Sequence, residues 1–418
     1  MTIGAQAESR VEGKKLVVGL DIAKASHVAV VRTDAGASRP LKFQANREGF
    51  EKLLTWLEEH RQREGATRTI AGLEPTGHYW LTVAKFLTER GTEVAFVNPL
   101  HTKRMKEIED NSPDKSDPKD ATIVAELVFT GKTLEQAPCT GVFAELRELG
   151  RLRHCRVVER GACENRVHRI LDVLFPELLG VLPGPSTPST QALLRVAVTP
   201  AEILRLGKRK LTRILRNASR GQLEESKAEA VLQAAERSVG IEDAADVLRL
   251  ELKQALARWK ELTKQIREIE ERQRKALEKV PYADKLLRVP GLGPVTVARV
   301  LGEAGDLKAY RNGRALMKMA GLNLYSFKSG KKQRAPVRIT KRGRPMLRHA
   351  LYMAVLGMTR EDRPLSEFYD RLTEDNGVNK VKALVAASRK LLRALFAVVR
   401  DNVEFNESLL EPKPAKVA

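Results

Sequence analysis

The segment LVVGLD, residues 16–21, decides the fold of the N-terminal region, because five nonpolar residues run without interruption into the carboxylate of Asp21. An unbroken run of this length, rich in valine and leucine, predicts a strand buried on both faces. A second apolar run, HVAVV (27–31), follows after a short polar stretch and predicts a hairpin partner. We therefore expect the fold to begin with two antiparallel strands of a buried sheet.

Three further elements complete the predicted N-terminal domain, for which we expect the bounds 13–131. TIAGL (69–73) and EVAFV (93–97) are short apolar runs that predict a third and a fourth strand. Between them, residues 77–90 carry apolar side chains at the three- to four-residue spacing of one helix face. Two hairpin strands followed by a strand–helix–strand unit indicate an α/β domain with a mixed sheet.

The rest of the chain has a helical pattern. Residues 140–280 predict long helices, and the apolar stripe over 252–269 is typical of a helical hairpin or coiled coil. The proline-rich stretch 182–188 predicts a loop between helices. Residues 281–402 form a basic, mainly α-helical region, and we expect the tail 411–418 to be disordered.

Composition excludes several classes of protein. The 418 residues include 74 Lys and Arg against 53 Asp and Glu, which gives a net charge of +21. Aromatic residues make up only 5%, so stacking on single-stranded bases is not expected to dominate binding. No apolar run is long enough for a membrane span or a signal peptide, and the three cysteines form no CxxC pair. We expect a soluble cytoplasmic protein whose partner is a polyanion.

The positive charge is concentrated in two parts of the sequence. Residues 281–360 hold 17 Lys and Arg against three acids, and 328–348 hold nine basic residues and no acid. A second run, 205–220, holds seven basic residues and no acid. Blocks of this kind bind nucleic-acid phosphates by releasing counterions. A solvated charged face is the alternative for either run alone.

Four carboxylates have the placement of a metal site. Asp21 and Glu74 each follow a predicted buried strand, and Asp117 and Asp120 lie three residues apart, on one face of a helix. Hard oxygen ligands of this kind suit Mg²⁺, with Mn²⁺ possible, in phosphoryl transfer. Each residue also has a simpler interpretation: Asp21 beginning a turn, Glu74 favoured by a helix dipole, or Asp117 capping a helix before Pro118.

Two features of the basic region point to phosphate chemistry. PGLG (290–293) resembles a helix-hairpin-helix turn, in which Gly291 and Gly293 let backbone N–H groups approach a phosphate, although a plain turn between helices is the alternative. Ser329, beside a glycine and among cations, could attack a phosphodiester or simply contact a phosphate, and Ser326 is a second candidate. The predicted nucleic-acid contacts are Gly291, Gly293, Lys328, Lys331, Lys332, Arg334, Arg338, Lys341, Arg342, Arg344, Lys208, Arg209 and Lys210.

Seven short motifs, taken together, resemble the DEDD-type insertion-sequence transposases, the IS-one-ten family. The N-terminal motifs are VVGLDIAK (17–24), EPTG (74–77) and DPKDA (117–121). The C-terminal motifs are PGLG (290–293), AGL (320–322), SG (329–330) and ITKRG (339–343). They occur at both ends of the chain in the order of the family, with a helical segment between them.

The resemblance implies a RuvC-like, RNase H-type N-terminal domain whose catalytic carboxylates are Asp21, Glu74, Asp117 and Asp120. It also implies that Ser329 is the nucleophile of a C-terminal transposase domain. Recombination of element and target DNA would be guided by a bridge RNA encoded by the element. The family resemblance further implies a nucleoid-associated prokaryotic homo-oligomer, a dimer or tetramer, whose sites combine the carboxylates of one subunit with the serine of another.

Three functions are therefore considered. The first is a Mg²⁺-dependent DNA transposase or recombinase. The second is a Holliday-junction-type structure-specific endonuclease that uses the carboxylates alone, with Ser329 as a phosphate contact. The third is a nucleic-acid-binding protein without catalysis. Loss of DNA cleavage on substitution of Asp21 or Glu74 separates the first two from the third, and a covalent adduct at Ser329 separates the first from the second.

Overall fold

The computed structural model describes residues 13–110, 117–134, 140–325 and 337–410. The chain forms two compact units, Met1–Pro138 and Cys139–Ala418, each with its own hydrophobic cores. Several predicted features lie outside the described residues: Ser326, Lys328, Ser329, Lys331, Lys332, Arg334 and the tail 411–418.

The N-terminal unit is built on one sheet with four helices. Its strands are β1 (Lys15–Ile22), β2 (Ser26–Thr33), β3 (Gly36–Ala37), β4 (Leu41–Gln44), β5 (Arg68–Leu73), β6 (Glu93–Val97) and β7 (Thr133–Leu134). Its helices are α1 (Arg47–Arg63), α2 (Trp80–Thr88), α3 (Pro99–Asp110) and α4 (Asp117–Phe129). The predicted α/β class is confirmed.

The sheet is mixed and has the strand order β3-β2-β1-β5-β6-β7, with β4 also paired to β2. β1 and β2 form the predicted antiparallel hairpin, and β1, β5 and β6 run parallel to one another. The chain links β5 to β6 through α2, which is the usual crossover between parallel strands. The three central parallel strands therefore end at the same edge of the sheet.

Helices cover both faces of this sheet. Leu16, Val18 and Leu20 of β1 belong to the core that includes residues of α1 and α2, whereas Val17 packs with residues of α4. This division follows from the alternation of side chains along a strand. Gly19 lies on the α4 face, where an added Cβ would stand 2.1 Å from the carbonyl oxygen of Ala121. The glycine therefore lets α4 approach the sheet closely.

Helix α2 begins three residues later than the pattern predicts. The backbone at Gly77 has a φ of 66°, in the left-handed region that favours glycine, and so cannot be part of a right-handed helix. The indole nitrogen of Trp80 donates a hydrogen bond to the carbonyl of Gly77 at 3.2 Å. The segment after Glu74 is therefore a turn, and regular helix starts only at Trp80.

The C-terminal unit is mainly helical. Its helices are α5 (Gly141–Leu174), α6 (Leu178–Val181), α7 (Pro188–Leu194), α8 (Pro200–Ala218), α9 (Glu225–Glu236), α10 (Ala245–Leu277), α11 (Ala283–Leu287), α12 (Pro294–Ala304), α13 (Gly313–Ala320), α14 (Pro345–Met358), α15 (Ser366–Asp370) and α16 (Lys380–Arg400). Two short strands, β8 (Leu324–Tyr325) and β9 (Arg338–Ile339), pair antiparallel. The predicted loop at 182–188 ends where α7 begins.

The long helices α5 and α10 pack against each other in opposite directions. Leu146, near the start of α5, shares a core with Leu277 at the end of α10. Ile170, near the end of α5, shares a second core with Leu252 near the start of α10. The first core also holds α11 to α14 and α16, and the second holds α6 to α9. The two helices thus join two helical clusters, and coiled-coil geometry along them stays a prediction.

None of the helices among the described residues is both long enough and apolar enough to cross a membrane.

Candidate active site and nucleic-acid interface

Asp21 and Glu74 lie side by side at one edge of the sheet. In the parallel pair β1–β5, Leu20 is in register with Leu73; Asp21 is the next residue of β1, and Glu74 is the first residue after β5. Neighbouring strands are about 4.8 Å apart. Both carboxylates are partly exposed, which suits groups that bind a ligand. The pairing of these two strands thus brings together two residues that are far apart in the sequence.

The first turn of α4 reaches the same edge. Val28, the cross-strand partner of Asp21, packs in one cluster with Ala121. Asp117 is one helical turn before Ala121, so the acidic start of α4 lies toward the end of β1 that carries Asp21. The acidic first turn of α4 therefore lies toward the edge of the sheet at which β1 and β5 end.

The turn after β5 orients Glu74. The hydroxyl of Thr76 donates a hydrogen bond to Oε1 of Glu74 at 2.6 Å, and the Thr76 N–H donates to the Glu74 carbonyl at 2.8 Å. These contacts hold one carboxylate oxygen in place within the turn. A carboxylate whose orientation is fixed in advance needs less reorganisation when it binds a cation.

Asp120 differs from the other three carboxylates because it is buried. It is 5% exposed, and Nζ of Lys106, on α3, forms an ion pair with its Oδ1. A buried carboxylate needs a positive partner, since an isolated charge is costly away from water. Sequence reasoning did not identify Lys106, because nothing in the periodicity of α3 distinguishes it from the other cations of that helix.

The structure also tests whether this edge suits a metal ion. Within the described ranges, no three His, Cys, Asp or Glu side chains stand close enough together to hold one. The residue types nevertheless suit a hard divalent cation, because all four predicted ligands are carboxylates. In this structure the charge of the buried Asp120 is balanced by Lys106.

In the C-terminal unit, β8 and β9 bracket the segment that carries Ser329. The two strands pair directly, and the chain leaving β9 is tied back to the end of α13, where the N–H of Lys341 donates to the carbonyl of Gly321 at 3.0 Å. Gly321 itself ends α13 in the left-handed conformation, with a φ of 65°. Both ends of the serine segment are therefore fixed to one helix.

The predicted phosphate-binding turn lies between α11 and α12. Gly291 has a φ of 87°, and a Cβ there would stand 2.7 Å from Cγ of Met358. Gly293 precedes α12 in an extended conformation and is exposed to solvent, and a Cβ at this position would meet no atom within 4 Å. Only Gly291 is thus required by the turn itself, and Gly293 leaves the start of α12 accessible.

The predicted basic contacts fall into two groups. Arg338, Lys341 and Arg342 are exposed around β9, and Arg209 and Lys210 are exposed on α8. These five cations are accessible to a polyanion.

The other two described cations have partners in the chain. Arg344 is half-buried, and its guanidinium donates to the carbonyl of Glu303. Lys208 pairs with both Glu225 and Glu229 of α9, and these hydrogen bonds raise its pKa. The side chains of Arg344 and Lys208 thus already have polar partners within the protein, unlike those of the five accessible cations within the described ranges.

Comparison with known proteins agrees with this arrangement. A family model described as a transposase, of the DEDD IS110 type, matches residues 18–176, and one described as the IS116/IS110/IS902 transposase family matches 283–370. The protein of insertion element IS110 from Streptomyces coelicolor is 25% identical over 94% of this chain and 95% of its own length. The mini-circle transposase proposed for IS117, from the same organism, is 28% identical over 78% of this chain and 81% of its own length. A pilin gene-inverting protein of Moraxella bovis is 29% identical over 31% of this chain and 40% of its own length.

The fold, the carboxylate edge and these matches together define an enzyme of the DNA transposase and recombinase class. Within that class, the chain belongs to the IS110 family of insertion-sequence transposases.

Proposed function

We propose that this transposase cleaves and exchanges DNA strands between an insertion element and its target, with Asp21, Glu74, Asp117 and Asp120 as metal ligands and Ser329 as the nucleophile. The observation that supports the proposal is the register of β1 and β5, in which Leu20 pairs with Leu73 and the carboxylates Asp21 and Glu74 are the next residues along the chain. The acidic first turn of α4 lies toward the same edge. A fold of RuvC-like, RNase H type is consistent with the mixed sheet and its helices on both faces.

In the proposed reaction, the hydroxyl oxygen of Ser329 attacks the phosphorus of a DNA phosphodiester and loses its proton. A protein–DNA phosphoester forms, and the displaced strand leaves with a free hydroxyl. Attack by the hydroxyl of another strand on this phosphoester releases the serine and joins the new pair of strands. The number of phosphoester bonds is unchanged throughout, so exchange needs no external energy source.

The carboxylates have a separate task in this scheme. They hold a divalent cation, Mg²⁺ or Mn²⁺, beside the phosphate to be cleaved. Such an ion, when bound, stabilises negative charge on the phosphoryl oxygens. Thr76 keeps Glu74 oriented for this role, and Lys106 holds Asp120 in its buried position before the cation binds.

Several finer features belong to the same proposal. The turn at Gly291 and Gly293 acts as a helix-hairpin-helix that contacts a DNA phosphate, and α5 and α10 form a coiled coil. A bridge RNA guides the choice of target, and the enzyme works in the nucleoid as a homo-oligomer, a dimer or tetramer. Strand exchange rather than simple hydrolysis is supported by the relatives named for inversion of a pilin gene.

The test of the metal site measures cleavage of labelled element-end DNA by the variants Asp21→Asn and Glu74→Gln. Cleavage is expected to fall at least about 1,000-fold, since a lost ligand removes several kcal/mol of transition-state stabilisation. Glu93→Gln is the matched control, because Glu93 begins β6 at the opposite edge of the sheet. Cleavage by both site variants at the wild-type rate would contradict the metal site.

The test of the nucleophile is the covalent protein–DNA adduct, detected as slower migration of the protein after denaturation. Ser329→Ala is expected to abolish the adduct, and Ser326→Ala to retain it. The reverse pattern would assign the role to Ser326. Cleavage by the wild type with no adduct would indicate a hydrolytic endonuclease instead. Reconstitution with and without the RNA that copurifies tests the guide, and full recombination without it would count against a guide.

A further inference from the structure

A cavity of about 540 Å³ in the C-terminal unit is lined by three arginines and no acidic residue. It lies where α13, the start of β8 and α16 meet. Its volume falls within the range of ligand pockets, about 300–1,000 Å³. The lining residues are Arg314, Met317, Asn323, Leu324, Arg389 and Arg393, together with Gly313.

The three arginines lack compensating charge within the described part of the chain. Arg389 and Arg393 lie one turn apart on α16, and Arg314 lies in the first turn of α13. No carboxylate among the described residues forms an ion pair with any of them. Like charges one helical turn apart repel each other, so this pair destabilises α16 unless an anion lies beside it. Within the described part of the chain, no ion pair offsets this repulsion.

Arg389 is the member that shows most clearly that a partner is lacking. It is half-buried, and its Nε is shielded from solvent with no hydrogen-bond partner among the described residues. Burial and the neighbouring Arg393 lower the pKa of Arg389, which remains charged at neutral pH. A buried donor without a partner loses its hydration without compensation.

Other arginines of the same unit show how a structural arginine is satisfied here. Arg348 donates to the carbonyl of Ala320 at 3.0 Å and to that of Gly343 at 3.3 Å, and Arg344 donates to the carbonyl of Glu303. These side chains hold the turn after β9 in place. The cavity arginines have no comparable hydrogen bonds to carbonyl groups among the described residues, so a purely structural role does not account for them.

We propose that the arginine cavity binds a backbone phosphate of the nucleic acid on which the transposase acts. Guanidinium groups match phosphate oxygens in paired hydrogen bonds, and an anion here would relieve the repulsion between Arg389 and Arg393. The inference rests on the proposed function, and it adds a binding site separate from the predicted basic contacts.

The position of the cavity relates it to catalysis. Leu324 lines the cavity and begins β8, after which the chain continues toward Ser329. A phosphate held by the arginines would therefore fix the nucleic acid beside the strand from which the serine segment starts. DNA and RNA carry the same phosphodiester chemistry, so the experiment must distinguish between them.

The test compares full-length wild type with Arg389→Gln/Arg393→Gln in binding to a mixed-sequence DNA duplex and to a single-stranded RNA, each across a salt series. The variant is expected to bind at least about 10-fold more weakly at 0.1 M salt. Its plot of log affinity against log salt should become shallower by about 0.9 on the duplex, or about 0.7 on the RNA, for each phosphate that the variant no longer neutralises.

The matched control is Arg195→Gln/Arg237→Gln, which removes the same charge from two exposed arginines without ion-pair partners in the described ranges. It is expected to change affinity less than about 3-fold. Arg389→Lys keeps the charge but not the paired donors, so it should lie between the wild type and the double variant. Unfolding by urea serves as the folding control, and the double variant should unfold at no lower urea concentration than the wild type, because repulsion is removed.

The outcomes separate the possibilities. If the double variant loses affinity for the DNA duplex alone, the bound phosphate belongs to DNA, and if it loses affinity for the single-stranded RNA alone, the phosphate belongs to RNA. Lower affinity for both indicates a shared site. Equal affinity and salt dependence in the double variant and the control overturn the cavity proposal, as does a lower unfolding midpoint with an unchanged salt slope. If the wild type binds neither polymer, the proposed function fails, and the cavity proposal fails with it.

Discussion

Substitution of Lys106 by methionine tests the charge balance at the carboxylate edge most directly. Methionine keeps much of the length and apolar volume of lysine but removes its charge, leaving the buried carboxylate of Asp120 without its ion-pair partner. Removing one partner of a fully buried pair costs about 3–5 kcal/mol. The Lys106 side chain is 23% exposed, so water partly screens it. We therefore expect the N-terminal unit to lose about 2–3 kcal/mol of unfolding free energy.

A divalent cation should offset this loss. If Asp120 is a metal ligand, Mg²⁺ can supply the positive charge that the variant lacks, and it then stabilises Lys106→Met more than the wild type. A ligand at 100 times its dissociation constant adds about 2.7 kcal/mol to the stability of the folded state. In metal-free buffer, the double variant Lys106→Met/Asp120→Asn should be less destabilised than the two single changes added together.

The assay is urea unfolding followed by tryptophan fluorescence in a Trp259→Phe background. The other two of the three tryptophans, Trp56 and Trp80, lie in the N-terminal unit, so the signal reports that unit alone. Arg47→Met is the control, since the Arg47–Glu51 pair is exposed and its loss should produce no measurable change. Wild-type stability of Lys106→Met in metal-free buffer, or additive effects in the double variant, would refute the reasoning.

Three further predictions concern stability and are measured by urea unfolding. Gly19→Ala should lower the free energy of unfolding by about 3 kcal/mol or more, because the new methyl group meets the backbone of α4. Gly161→Ala, on the open face of α5, should raise it by about 0.5–1 kcal/mol. Equal effects of the two changes would contradict the close approach of α4. Burial lowers the pKa of His27 below its usual 6.5, so the unfolded chain takes up the proton at a higher pH than the folded protein does. The free energy of unfolding should therefore fall by up to about 1.4 kcal/mol per pH unit as the pH drops below about 6.5. His27→Phe should flatten this profile between pH 8 and 5, and an unchanged slope would exclude His27 as its source. Gly291→Ala should lower the free energy of unfolding by about 1–3 kcal/mol, because the backbone there is left-handed and the site is crowded. Gly293→Ala should lower it by less than about 0.5 kcal/mol, since the added methyl group meets no atom of the described residues within 4 Å. Only Gly293→Ala can therefore test phosphate contact without loss of stability.

Local pattern was sufficient to predict the main strands. The runs at 16–20, 27–31, 69–73 and 93–97 all lie in strands, as expected for short, mainly apolar segments rich in β-branched residues. The short strands β3 and β7 are two residues long and carry no such signal. Their place in the sheet depends on pairing with a neighbour rather than on their own composition.

The carboxylates show where local pattern stops being informative. Their position after apolar strands was visible in the sequence, and it marked Asp21 and Glu74 as candidates. That Asp120 is buried and paired with Lys106, whereas Glu74 is held by Thr76, was not visible. Burial and ion pairing depend on which helix packs on which face, and several arrangements of α3 are compatible with the same periodicity.

The arginine cavity is a second feature that local sequence pattern did not reveal. Arg314 lies far in the sequence from Arg389 and Arg393, and all three lie outside the acid-free basic runs 205–220 and 328–348. Charge counting therefore identified the type of partner but not this surface. Packing of α13 against α16 brings the three together.

The sequence by itself determined the four main strands, the helical character of the rest of the chain, the polyanionic type of partner and the chemical types available at the site, because those follow from apolar periodicity, net charge and residue identity. Only the tertiary structure decided which charges are neighbours. The parallel register of β1 and β5 places Asp21 beside Glu74, the close approach at Gly19 brings in the acidic start of α4, and helix packing leaves three arginines facing one cavity. Electrostatic interaction depends on distance and burial, and neither quantity is defined until the chain has folded.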